Sequence, residues 1–87
     1  MDVQLYRKYL EQYVVEAIEN SDRTNAGISE HLEEIKVKGL FTRHKEEKQR
    51  ALSDARQAFA DHRHWPQDIV ISHLGLDPEI MQKTPVK

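Results

Sequence analysis

The chain has 87 residues, 38% of them apolar and 32% charged, with no cysteine and a formal net charge of −2. That length fits one domain, and a charged fraction above the roughly 25 per cent of average soluble domains leaves a thin apolar supply. The missing cysteines exclude disulfides, thiol nucleophiles and thiolate metal sites. No apolar run approaches the ~18 residues needed to span a bilayer. The opening Met1 to Gln12 lacks the basic-then-apolar order of a signal peptide, so a cytoplasmic protein is expected.

Charge is unevenly distributed. Residues 1–35 carry eight acids against three bases, a balance of −5, whereas residues 36–63 carry eight bases against four acids, a balance of +4. From His64 onward the balance is −1. Such asymmetry either marks a surface for an acidic partner or lets the two blocks face one another within the fold or a dimer.

The first predicted helix is capped by Asp2, with Val3, Tyr6, Leu10, Tyr13, Val14, Ala17 and Ile18 on one stripe. Tyr6, Leu10, Val14 and Ile18 fall four apart, the helical period, and Asn20-Ser21-Asp22 supplies turn-forming side chains to end it. A second helix starts at Thr24 or Asn25 and runs to Lys38, its stripe made of Ala26, Ile28, Leu32, Ile35 and Val37. Gly39 suits the left-handed residue after its end, with Lys36 and Lys38 complementing the dipole. Leu40 and Phe41 read as an apolar linker. Thr42 caps a third helix reaching about His62, with Ala51, Leu52, Ala55, Ala58, Phe59 and His62 as its stripe. Its first two turns, Arg43 to Arg50, contain no apolar residue and either project into solvent or meet a polar partner.

Trp65-Pro66 breaks the chain. Proline suits a first helical turn, so Pro66 to Leu74 reads as a short fourth helix, with Gly75 after its end and Leu76 as the following apolar contact. The rival is a strand at Ile69-Val70-Ile71, since β-branched residues are poor helix formers. Asp77-Pro78-Glu79 leads Ile80 and Met81 into a further helical turn, and residues 84–87 read as frayed. The expected fold is all-α: a helical bundle core over 1–63 and a short helical C-terminal segment over 64–87 of the same domain.

Little in the sequence carries chemistry. The glycines at 27, 39 and 75 form no phosphate loop, and no serine sits in a nucleophile-elbow context. Glu33-Glu34 and Glu46-Glu47 are adjacent on helices and point different ways. No enzyme and no cofactor are indicated. Five histidines include His62 and His64 beside Trp65, with His73 nine residues after His64. On a helix His62 and His64 diverge by about 200 degrees, which disfavours metal ligation. A pH-sensitive patch at His62, His64 and His73 is the better reading of this cluster.

Two binding readings remain. Residues 24–32 resemble the first helix of helix-turn-helix regulators, and a recognition helix from Thr42 would present Arg43, Lys45, Lys48 and Arg50 to nucleic acid. The chain pI of about 6.2 and the acids Glu46 and Glu47 in that helix oppose it. The other reading is protein binding. Trp65, Ile69, Leu76, Ile80 and Met81 are core if the C-terminal segment folds back, and anchors of an interface if it is extended. Asp54 to Leu76 loosely resembles the tail of small antitoxins: a helix, a basic-aromatic step, a proline, then an apolar segment. The expected function is therefore a non-catalytic regulator binding another protein, as an inhibitor, antitoxin or adaptor would, with DNA binding through residues 42–50 as the alternative. A homodimer completing its core across Tyr6, Leu10, Tyr13 and Val14 is also expected.

Overall fold

The computed structural model describes residues 1–36 and 43–82. Its elements are α1 (Val3–Asn20), α2 (Asn25–Glu34), α3 (Lys45–Asp61), α4 (Gln67–His73) and a 3-10 turn, Pro78–Gln82. The described residues are helical with no strand, and no helix among them is long and apolar enough to cross a membrane. The expected end of the second helix at Val37 to Gly39, the linker Leu40-Phe41, the cap Thr42 and the end at 84–87 lie outside the described residues.

Asp2 caps α1, its carboxylate accepting from the amides of Gln4 at 2.9 Å and Leu5 at 3.3 Å. Leu10, Tyr13, Val14, Ala17 and Ile18 face inward as their spacing requires, but Val3 is 62% exposed. It lies a turn beyond the last stretch of α1 that reaches the core. α1 and α3 run antiparallel: Tyr6 meets Asp54, while Tyr9 meets Lys48 and His44.

Thr24 is the cap of α2. Its hydroxyl accepts from the Gly27 amide at 2.9 Å and donates to Asp22 at 2.7 Å. The Asp22 carboxylate also accepts from the Thr24 amide, and these bonds lower its pKa. It folds so closely over position 27 that a Cβ there would lie 1.9 Å from its Oδ1. Glycine is the residue that leaves it room.

α2 is shorter than its apolar period suggests. It ends at Glu34, where Ile35 turns extended at φ −68° and ψ 125°. Arg56 of α3 explains the early stop. Its Nε donates to the Leu32 carbonyl at 2.9 Å, and Nη2 donates to those of Glu33 and Ile35 at 3.1 Å. A guanidinium thus satisfies carbonyls freed at the helix end and complements the dipole. Ala26, placed on the apolar stripe by sequence, faces solvent instead.

α3 begins after His44, which is left-handed at φ 62° and offers no side-chain cap. Glu46 and Glu47 in its first turn complement the dipole in its stead. Further along, Ala51, Leu52, Ala55, Ala58 and Phe59 are buried, the alanines letting the helices approach closely. The end of α3 is held from α2. Asn25 is buried, and its Nδ2 donates to the carbonyls of His62 at 3.1 Å, Arg63 at 3.2 Å and Trp65.

The β-branched run Ile69-Val70-Ile71 is helical, within α4. Burial of Val70 and Ile71 outweighs their weak intrinsic preference. After α4, Gly75 is left-handed at φ 82°. Its amide donates to Ser72 at 2.9 Å and that of Leu76 to Ile71 at 3.1 Å, the paired bonds of a Schellman ending. Arg7 of α1 donates to the Gly75 carbonyl at 2.8 Å. Val70, Ile71, Leu76 and Ile80 bury in the same apolar cluster as the stripes of α1, α2 and α3.

The dimer expected across Tyr6, Leu10, Tyr13 and Val14 meets a direct obstacle. Leu10 and Val14 are fully buried within the chain and Tyr13 nearly so, while the Tyr6 hydroxyl is engaged with Asp54. The apolar stripe of α1 is already covered by its own chain, so a second copy would need another face.

Candidate interaction surface

At one end of the bundle the start of α1, the end of α3 and the end of α4 enclose a groove of about 300 Å³. Its walls include Tyr6, Asp54, Asp61, His62, His73 and Leu74. The Tyr6 hydroxyl donates to Asp54 Oδ2 at 2.6 Å. Burial, then the hydrogen bond and charge of Asp54, push its pKa up to about 12, against a smaller opposing effect of Arg50. Asp61 accepts from Gln57 Nε2 at 2.6 Å. Both carboxylates are thus engaged within the chain.

The α4 side of the groove carries an aromatic cluster. His62 stacks on Trp65 with ring centroids 3.7 Å apart and planes at 10°, and His73 stands edge-on to both, at 5.0 Å and 5.6 Å. His64 lies 6.2 Å from Trp65. The three imidazoles that sequence grouped do gather, around the indole rather than around a point. Among the described residues no three histidine or acidic side chains are arranged to hold a metal ion.

The apolar residues expected as protein contacts divide. Leu76 and Ile80 are buried, and Trp65 and Met81 are half-buried against the core. The C-terminal segment has folded back, so these four serve the interior first. Ile69 alone is open, 48% exposed, one turn before His73 on α4. Sequence reasoning missed Met1 and Val3, 55% and 62% exposed. Val3 precedes Tyr6 by one turn on α1 and so extends the Tyr6 wall of the groove outward. For Val3 the signal was its position in the first turn of α1, two turns before the first fully buried stripe residue, Leu10.

The basic residues of the nucleic-acid reading do not form one free face. Arg43 and Arg50 are exposed, but Lys45 and Lys48 are half-buried, and Lys48 Nζ sits 5.2 Å over the Tyr9 ring. Glu46 and Glu47 share the same two turns. Ten residues separate Glu34 from Lys45, far more than the 3–4-residue turn of about that size that joins a helix-turn-helix pair. Comparison of the chain with protein-family models, with curated proteins and with solved structures finds no match.

Proposed function

We propose that this chain is a non-catalytic regulatory protein that binds another protein, as an inhibitor, antitoxin or adaptor would, working in the cytoplasm. The contact surface is the end where α1 starts and α4 packs. One observation carries the reading: of the strongly exposed large apolar residues among those described, Val3 lies one helical turn from Tyr6 and Ile69 one turn from His73, residues that form walls of the groove. Apolar side chains scattered singly are ordinary, whereas their concentration at one place marks a contact site. Trp65, half-buried against His62 and His73 of the groove, is the residue type that interface centres favour.

Capture of partners from the native host with a tagged chain tests this, with and without nuclease. A stoichiometric protein is expected with the native chain and with the Lys45→Ala/Arg50→Ala double variant, and is expected to vanish with Ile69→Asp. Ile69 is exposed, so that substitution leaves the core intact. Recovery of nucleic acid alone, lost at raised salt and in the double variant, would replace this reading with the DNA-binding one.

A further inference from the structure

Of the residues lining the groove, His62 and His73 are the two whose side chains ordinarily change charge between about pH 5 and 8. Their settings differ. His62 is the C-cap of α3, and its ring lies flat on the Trp65 indole, centroids 3.7 Å apart and planes at 10°. A proton gained there places a cation over an aromatic face, inside the ~6 Å at which such a contact is attractive. It also puts positive charge at the carbonyl end of α3, which the helix dipole favours. His73 stands edge-on to both rings and has no such face-to-face overlap.

The surrounding charges set the sign. α1 contributes Tyr6 to the groove and α3 contributes Asp54 and Asp61, while no lysine or arginine lines it. α2 reaches the junction through Asn25, which is uncharged and holds the carbonyls of His62 and Trp65. Arg63 and His64, on the link to α4, are exposed to solvent. Two carboxylates and an indole face thus attract an imidazolium at His62. His73 of α4, 5.0 Å away, is the groove residue that opposes it when charged itself.

We infer that His62 is a proton-operated clamp between α3 and α4. With its imidazole charged it grips Trp65 and holds the chain entering α4 against the end of α3; with the imidazole neutral the grip relaxes. The clamp regulates the groove of the proposed contact surface, and rests on that reading in one respect, that His62 and His73 are two of the walls.

Amide hydrogen exchange of the purified chain at about pH 5 and about pH 8 tests the clamp, each rate taken relative to the unstructured rate at the same pH. The Trp65 amide, which donates to the His62 carbonyl at 2.8 Å, is the reporter. Its protection is expected to be about threefold higher at the acidic value, the ratio a contact of this class supplies. The amides of Leu10 and Val14, in the buried part of α1, monitor the whole fold and are expected to stay constant. His62→Phe keeps a ring on the indole without a titratable group, and is expected to give equal Trp65 protection at both values. His64→Gln is expected to behave as native, its ring lying 6.2 Å from the indole. Equal protection of the native Trp65 amide at the two values would overturn the inference. So would a pH effect that survives His62→Phe, one that disappears in His64→Gln, or one shared equally by Leu10 and Val14. No partner enters this experiment, so its failure leaves the contact-surface reading intact, and a failed partner capture leaves the clamp intact.

Discussion

The three-helix body and the C-terminal segment share one apolar cluster, yet they are fixed in place by different means. α1 and α3 each present a long inward stripe and α2 a short one of Ile28 and Leu32, and the crossing of α2 on α3 is locked by side chains that reach across it. Arg56 of α3 binds three carbonyls at the end of α2. Asn25 of α2 binds three at the end of α3. α4, at seven residues, is too short for a stripe like those of α1 and α3. It is placed by Val70 and Ile71 beneath it, by Asn25 on the Trp65 carbonyl before it, and by Arg7 on the Gly75 carbonyl after it. Apolar periodicity selects which segments are helices. The ends of those helices, where backbone carbonyls lack partners, select how they sit together.

The largest expected effect asks whether the C-terminal segment belongs to the same cooperative unit. Ile71 is fully buried, so Ile71→Ala is expected to cost about 3 kcal/mol through lost transfer energy and the cavity left behind. Denaturant unfolding should show one transition at a lower midpoint with an unchanged slope. Two separated transitions would instead make the segment an independently melting appendage. Next comes the lock between the two regions. Asn25→Ala removes the donor that serves His62, Arg63 and Trp65; the His62 carbonyl keeps the Trp65 amide, but the other two carbonyls lose this partner at a part-buried joint, at an expected cost of about 2 kcal/mol. Trp65 is the single tryptophan, so its fluorescence reports loosening at this joint directly. A native spectrum with native stability would show that the three bonds are incidental.

Gly75 probes the other end of α4. Its φ of +82° is costly for a residue with a Cβ, while the space around that Cβ is empty. Gly75→Ala is therefore expected to destabilise by about 1 kcal/mol from backbone conformation alone. Gly75→Asn should cost less, since asparagine tolerates the left-handed region. Equal losses from the two would point to a steric cause and contradict the open surroundings.

The helices themselves were legible because their signals are local. Asp2 as a cap, the Leu10-Val14-Ile18 spacing and the Gly75-Leu76 ending each depend on residues within a turn or two of one another. What could not be read was long-range. Asn25 looked like a cap candidate and Arg56 like one charge in a tally, because their acceptors lie 37 and 24 residues away in the chain, at His62 and Leu32. The same blindness affected the candidate surface. Trp65, Leu76, Ile80 and Met81 could be core or contact according to whether the segment folded back, and folding back left Ile69 exposed. Val3 belonged to a perfect stripe yet faced water, since a period says which side of a helix is apolar and nothing about where the neighbouring helix stops.

The smallest expected effect concerns the contact between α1 and α3 at the groove. Tyr6 titrates at about 12 in the folded chain against an ordinary 10.0, chiefly from burial and then from its bond to Asp54. The unfolded chain releases this proton first, so between pH 10 and 12 it binds fewer protons than the native state and stability must fall as pH rises. The contribution is fully present below pH 10 and is lost as pH passes through about 12. Only part of Tyr6 is buried, so solvent screening keeps the effect small. Tyr6→Phe should flatten the alkaline limb of the stability curve relative to the native chain. Phenolate absorbance gives the same answer independently: Asp54→Asn should bring the Tyr6 ionisation back toward 10 without reaching it, because the burial that contributes most remains. A native ionisation in that variant would mean that Asp54 does not act on Tyr6, and would detach the groove wall of α1 from that of α3.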